Sequence, residues 1–441
     1  MPDADPNVPD PNSMGVTINA GNNITNKGTI DVSAGAGGDV NLDAGGLLTV
    51  TGGITGGNVT LIGGTGITHT DDGDVTSDGT ITAKVEATAT TGDILMADGT
   101  LCRAGGDVSL TAGRNVDLGR IDAGNNTIRV TATNGQIRDI TAAEGPNKEN
   151  LVGGAINLIA GQGIGGATRS EDKDLDIAAT SLDAMITGSS GGIFIKETDN
   201  LALGHIVAGG GVGEITIESG STGVAGGLTD KSPMDDSQEN LVGGTINLTA
   251  VGGAIGGSGD ADIDTTVTSI DAQTTSGGIF ITETDGVQLG NLASVTAPGA
   301  IEVTTTAGDL QVSRAVTAGG GLRLDAAGQL NIAAAVRGSH VGLTGGTGIG
   351  HTAAGDVTSG GTLTATATTG DIGMVDDTVY SAGRSVSLTA ARMSSWVVSR
   401  PVPIPSASKP RRVASAILPG LKTKIWSVAI STWLQVPVSV P

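Results

Sequence analysis

The chain repeats itself over long stretches, and those repeats limit what it can fold into. Residues 57–83, GNVTLIGGTGITHTDDGDVTSDGTITA, return at 339–365 as SHVGLTGGTGIGHTAAGDVTSGGTLTA. The likeness resumes beyond residues 84–87, where TATTGDILM (88–96) returns as TATTGDIGM (366–374). ENLVGGAINLIA (149–160) matches ENLVGGTINLTA (239–250), and GGIFIKETDNLALG (191–204) matches GGIFITETDGVQLG (277–290). Self-similarity of this kind marks a stacked repeat architecture in which each unit buries its apolar side against the next.

A shorter unit runs inside the long repeats. Gly or Asp is followed by an apolar–any–apolar triplet and then by small residues. Examples are Val40/Leu42, Val59/Leu61, Val108/Leu110, Ile128/Val130, Ile156/Leu158, Ile215/Ile217, Ile246/Leu248, Leu322/Leu324 and Val341/Leu343. Period-two alternation predicts a strand with one buried face. Gly, Asn and Asp between the triplets supply turns. Two inward aliphatics cannot hold a strand alone, so each strand must be covered by its neighbours in a stack. Starts such as Gly38, Gly57, Gly73 and Gly92 suggest coils of roughly 20 residues. The prediction is an all-β parallel β-helix, or solenoid, over residues 15–390. An array of β-sandwiches is the alternative, but sandwich cores use large aromatics. Aromatics make up 1% of this chain.

Composition removes other classes. With 74 Gly among 441 residues, collagen and disorder both arise. Collagen needs Gly at every third position, which is absent. Disorder needs low hydrophobicity, whereas 38% of the residues are hydrophobic. A net charge of −22 opposes binding to nucleic acid. The single cysteine, Cys102, excludes an internal disulfide. The acidic, Pro-rich start, MPDADPNVPDPNSMG, lacks the basic-then-apolar pattern of a signal peptide. No run reaches the roughly 18 apolar residues of a membrane helix.

Candidate chemistry is sparse. Asp71, Asp72, Asp74 and Asp78 form the densest acidic turn, where calcium is one reading. The copy replaces two of them with Ala353 and Ala354, so solvated turn acids are the better reading. GGTGIT (63–68) approaches a calcium-binding nonapeptide, but Thr68 stands where that motif needs Asp. His69 and His351 occupy equivalent positions, with no His or Cys at ligand spacing, and read as turn or surface histidines. Cys102 aligns with Tyr380, so thiol chemistry is not required there. The GxGxxG-like string near Gly161 to Gly166 does not open a helix and predicts no nucleotide site. Phe194 and Phe280 sit between inward Ile residues and are expected to project outward as exposed rings. Before residue 391 there is no Trp, and acids lie singly at turns, which argues against a sugar-cleaving site. The sequence therefore assigns no catalytic, cofactor-binding or metal-ligating residue.

The GGxINLxA, GDVxLTA and GGIFIxETDxxxLG units resemble the repeats of filamentous-haemagglutinin-like exoproteins and large autotransporter passengers. The resemblance spans about residues 15–390. It implies a right-handed parallel β-helix, exported to the outer surface of a Gram-negative-type bacterium and acting in adhesion or biofilm formation. The implied partners are a host-cell or matrix ligand, or other copies of the adhesin. A β-helix enzyme acting on polysaccharides is the alternative.

Composition breaks near residue 391. Between Ala391 and Pro441 there are seven Lys or Arg, no acid, seven of the 14 Pro and all three Trp (Trp396, Trp426, Trp433). The break interrupts a repeat, since SVSLTA (385–390) should continue as DVSLTAGRNVDLGRIDAGNNTIR (107–129) does. Back-translation in a shifted frame permits most of NVDLGRIDAGNNTIR from residues 393–407. It also permits the ENLVGG–INL pattern of 149–158 further on. The tail at 391–441 is thus expected to be frameshifted, irregular, and unable to continue the coil. The whole chain then reads as a truncated gene fragment.

Overall fold

The computed structural model describes residues 15–33, 38–84, 92–140, 149–165, 174–221, 223–233, 238–294 and 299–392, with 413–417 and 426–429 in the tail. Two compact units result, residues 1–268 and 269–441. The described residues are all-β, apart from one 3-10 turn at Gly209–Gly211.

In the first unit a turn of the coil visits three faces. On the first face, Val16–Ala20, Val40–Ala44, Val59–Gly63, Ile81–Lys84, Val108–Ala112 and Thr127–Ala132 stack in parallel. Their register runs Val16, Val40, Val59, Ile81, Val108, Ile128. The second face stacks Ile24–Asn26, Leu47–Val50, Gly66–His69, Asp93–Met96, Val116–Leu118 and Gln136–Asp139. The third stacks Ile30–Asp31, Ile54–Gly56, Val75–Ser77, Leu101–Ala104 and Arg120–Asp122. The second unit repeats the plan. Its first face stacks Ile279–Glu283, Ile301–Thr305, Leu322–Ala326, Val341–Gly345, Leu363–Ala367 and Ser385–Ala390. Its second face includes Gly348–His351, and its third includes Val357–Ser359 and Tyr380–Ala382. The parallel β-helix read from the triplets is therefore the fold.

Every triplet end named from the sequence is buried, from Val40 and Leu42 through Val341 and Leu343. Full burial of one such aliphatic is worth about 1.5–3 kcal/mol, and two per strand suffice only because rungs lie above and below. The coil length varies more than the glycine spacing suggested. It is 19 residues from Val40 to Val59 and 28 from Ile128 to Ile156. Gly73 and Gly92 lead into third- and second-face strands, so the spacing of starts mixed different faces.

The ENLVGG repeat makes a bend. In Leu151–Ala160, Leu151 pairs with Ile121 on the third face and Ile156 with Ile128 on the first. Gly154 sits at the turn between them, where a Cβ would lie 2.2 Å from the Asn125 carbonyl oxygen. Gly244 in the second copy meets the Val212 carbonyl at the same 2.2 Å. No side chain fits at either place.

The tail departs from expectation. Val413–Ile417 lies in parallel on Ser385–Ala390, so a strand covers the last rung. Backbone pairing on an open edge needs no inward aliphatics, only free N–H and C=O groups. Trp426–Ala429 then runs antiparallel to Val413–Ile417, a reversal not shared by the strand pairings described within residues 15–390. The remaining tail residues lie outside the described part, as do 1–14.

Candidate functional site

The acidic residues at the corners are mostly structural. Asp39 Oδ1 accepts the Asn58 N–H at 3.0 Å, and Asn58 Oδ1 accepts that of Thr80 at 3.0 Å. Asp93, Asp107 and Asp309 take the N–H groups of Asn115, Thr127 and Gln329 at 2.9, 2.9 and 2.7 Å. Each carboxylate or amide closes the rung that follows it, which satisfies backbone donors at turns. Asp74 belongs to this set, because its Oδ1 accepts the Leu101 N–H at 2.8 Å. Asp356 in the copy holds the Val379 N–H at the same distance. Asp71, Asp72 and Asp78 stand exposed.

The two histidines are inside the coil, contrary to the surface reading. His69 is 3% exposed and His351 8%. Each is the last inward residue of a second-face strand, a position that alternation places in the core. The Nδ1–H of His69 donates to the Gly73 carbonyl at 3.3 Å, and that of His351 to Gly355 at 2.9 Å. The ring thus closes the turn that follows it. The Tyr380 hydroxyl donates to Nε2 of His351 at 2.6 Å, with the rings edge-on and their centroids 5.0 Å apart. Burial pushes the His69 pKa down to about 4 and also lowers that of His351. Cys102 and Tyr380 do occupy one register position, against Val75 and Val357. Burial raises the Cys102 thiol to about 12.

Sequence reasoning missed a set of buried polar residues. Glu197 is 1% exposed and Glu283 is fully buried, each ending an IFI strand on its inward side. Glu197 Oε2 accepts the Ala179 N–H at 3.1 Å and Oε1 the Asp199 N–H at 3.2 Å. Burial raises its pKa to about 8. Asn150 donates to Asp139 Oδ1 at 2.8 Å and accepts the Asp176 N–H at 3.0 Å. Asn240 donates to Asp230 Oδ1 at 2.8 Å and accepts the Asp264 N–H at 2.9 Å. The available signal was the identical placing of EN before LVGG, and of ETD after IFI, with Glu on the inward phase of the strand.

The phenylalanines correct a second expectation. Ile193, Ile195, Ile279 and Ile281 are inward and buried, so the register stands. The rings do not stand free. Phe194 is only 4% exposed, and Phe280 is half-buried. Each folds back over the glycine two residues earlier, Gly192 or Gly278, where a Cβ would meet ring carbons at 2.7 and 2.4 Å.

Phe280 heads an outward file that continues through Glu302, Arg323, Gly342 and Thr364. Gly342, lacking a side chain, opens a shallow groove beside Arg323, His340 and Thr362. Arg323 holds Glu302 at 2.6 Å and Asp325 at 2.8 Å. Both carboxylates are thus tied to one guanidinium, rather than facing each other across a cleft as a glycosidase pair does.

In the string around Gly161 to Gly166, Gly163–Ile164 is a short second-face strand and Gly166 lies outside the described residues. No group of three or more His, Cys, Asp and Glu placed to hold a metal ion occurs among the described residues. No described helix is long and apolar enough to cross a membrane, which says nothing of strands. No protein-family model matches the chain, and no curated protein or solved structure does.

Proposed function

We propose that the chain is a structural and adhesive stalk fragment of a large bacterial exoprotein of the filamentous-haemagglutinin-like type, working without catalysis at the cell surface. The observation that carries this reading is where the bonds go. Inward aliphatics, corner Asp and Asn residues, and backbone ladders all tie one rung to the next. Ion pairs such as Arg138–Asp117, with Nε 2.5 Å from Oδ1, do the same outside. Little of the chain's chemistry converges on a point, as a catalytic site requires. Much of it stiffens a repetitive scaffold whose outward files are free to vary. A spacer that holds a contact surface away from a membrane needs that property. Its partners would be a host-cell or matrix ligand, or further copies of the same exoprotein.

The test is binding against cleavage. The purified chain should bind cells or matrix-coated surfaces weakly and saturably, and should leave polysaccharides intact. Depolymerising activity that vanishes in Glu302→Gln would replace this reading with the polysaccharide-active enzyme. The composition break at residue 391 favours a further reading, a truncated gene fragment. Sequencing the encoding DNA tests it directly. Codons from 393 onward that cannot yield the repeat residues in another frame would remove it.

A further inference from the structure

The groove beside Gly342 lies where the first copy of the repeat has a filled corner. It holds about 290 Å³ and runs along the stack from Glu302 to Thr364. The likeness of the copies extends back to GDVNLDAGG (38–46) and GGLRLDAAG (320–328), so Gly321 answers to Asp39 and Gly342 to Thr60. In the first copy Asp39 accepts the Asn58 N–H and Asn58 that of Thr80, which laces the corner shut. In the second copy Gly321, His340 and Thr362 stand in those three places, and Gly321 has no side chain to begin such a ladder.

Neither glycine is demanded by the backbone. Neither has a positive φ. A Cβ on Gly321 would meet nothing within 4 Å, and one on Gly342 would meet Thr364 Oγ1 at 3.7 Å, an ordinary contact. Pairing runs through Gly342 without a register shift, to Arg323 on one side and Thr364 on the other. Glycine weakens a strand, and its usual reasons are a bulge, a tight bend or something that approaches closely. Regular pairing leaves the last of these at Gly342. The groups around the opening are mixed in kind. Arg323, where the first copy has Asn41, donates through Nη1 to Glu302 Oε1 at 2.6 Å and through Nη2 to Asp325 Oδ2 at 2.8 Å. A guanidinium carries five N–H groups and a carboxylate two oxygens, so this pairing leaves donors and acceptors side by side. Phe280 stands one rung before Glu302 in the same outward file, half-buried. Its ring lies over Gly278, which heads the corner file continuing through Ala300, Gly321 and His340. A flat apolar surface thus stands at the head of the groove.

We propose that this groove binds a short chain of uncharged hexopyranose sugars. Sugar hydroxyls both donate and accept, which suits a guanidinium and carboxylate held together, with the Thr362 and Thr364 hydroxyls beside them. The apolar C–H face of a pyranose ring suits Phe280. A sugar ring over Gly342 occupies the space that Thr60 fills in the first copy. From Phe280 to Gly342 is three rungs, about 14 Å, within the reach of a short oligosaccharide. Arg323 stands between two carboxylates, so the pairing offers an acidic sugar no surplus positive charge. The proposal deepens the adhesive reading by naming a ligand class, and its biological setting rests on that reading.

The full chain is titrated calorimetrically with neutral trisaccharides of glucose, mannose, galactose and N-acetylglucosamine, and with trigalacturonate as the acidic counterpart. Saturable binding of at least one neutral trisaccharide is expected, tighter than that of trigalacturonate. Gly342→Thr restores the residue of the first copy in open space and suits a strand. It should weaken binding by roughly tenfold or more. Arg323→Lys keeps the charge but loses the fork, and Phe280→Ala removes the ring; both should weaken binding as well. Circular dichroism checks the fold of each variant. No saturable binding of any neutral trisaccharide overturns the proposal. Tighter binding of trigalacturonate overturns it too, as does binding that folded Gly342→Thr leaves unchanged. Attachment to cells or matrix is measured alongside. Attachment by a chain that binds no trisaccharide removes the groove assignment and leaves the adhesive reading. Trisaccharide binding without attachment removes the adhesive reading and leaves the site.

Discussion

Residues 57–112 and 339–390 build the same three-faced rungs from nearly the same words, yet their corners differ. In the second copy a phenol closes the interior, with His351 bonded at both nitrogens, to Gly355 and to Tyr380. In the first copy a thiol takes the phenol's place, and among the described residues His69 bonds to Gly73 on its Nδ1 side. The scaffold tolerates both because the inward aliphatics and the corner Asp residues are shared: Val59 and Leu61 answer to Val341 and Leu343, and Asp74 to Asp356. A stacked coil therefore separates what must repeat from what may drift. The inward aliphatics and these Asp residues are kept, while other positions differ, Asn58 and His340 among them.

The sharpest break of this comparison would be unequal cores. Leu61→Ala and Leu343→Ala each empty a fully or nearly buried site. Each should cost about 2–5 kcal/mol, and the two costs should agree within about 1 kcal/mol, the usual size of a modest packing difference. Denaturant unfolding followed by hydrogen exchange at each strand measures both. A near-zero cost in one copy would mean that its rung is not held by the shared aliphatics.

Acid should test the first copy's corner next. His69 has its pKa lowered from 6.5 to about 4. The unfolded chain then takes the proton first, so the contribution is complete above 6.5 and is lost as pH falls toward 4. At about 1.4 kcal/mol per pKa unit, the loss reaches roughly 3 kcal/mol. Glu197 works in the opposite sense. Its pKa is raised from 4.5 to about 8, so its contribution is present at acid pH and fades as pH rises to 8. The measurement is therefore made in a Glu197→Gln background. Hydrogen exchange in Gly66–His69 should accelerate between pH 6.5 and 4, after correction for intrinsic rates. His69→Gln should flatten that trend.

A smaller effect tests the phenol itself. Tyr380→Phe leaves Nε2 of His351 without its donor in a buried place. The cost should be about 1–3 kcal/mol, read as a fall in local stability around Gly348–His351. A neutral result would make the 2.6 Å bond incidental and the two corners energetically alike.

How much of this was legible beforehand follows from the physics of each feature. The triplets announced the coil because alternation is a local signal and every inward pair needs its cover. The histidines were misplaced, although the same alternation runs into them: Gly66–His69 reads buried, buried, half-buried, buried. A His at a strand's end beside a turn looks exposed until the strand phase is carried one residue further. Glu197 and Glu283 were hidden for the same reason, as an inward carboxylate breaks the polar-outside rule and is tolerated only because backbone N–H groups meet it. The exposed-ring expectation for Phe194 failed because alternation fixes which side a ring leaves from, not where it then lies.

The smallest effects lie on the turn that differs most in sequence. Asp71 and Asp72 are exposed, and the copy has Ala353 and Ala354. Asp74 has a carboxylate oxygen 2.8 Å from the Leu101 nitrogen, and Asp356 has one 2.8 Å from that of Val379. Asp71→Ala with Asp72→Ala should therefore change stability by no more than about 0.5 kcal/mol. Asp74→Ala should cost about 1 kcal/mol, comparable with losing other side-chain caps on backbone donors, and Asp356→Ala should match it. Thermal unfolding of the three variants ranks them. If removing Asp71 and Asp72 costs as much as removing Asp74, the turn is held by all three carboxylates. The alanines of the copy would then need a different support. If Asp74→Ala is neutral, the corner carboxylates do not tie rung to rung, and the division between fixed and drifting positions loses its physical basis.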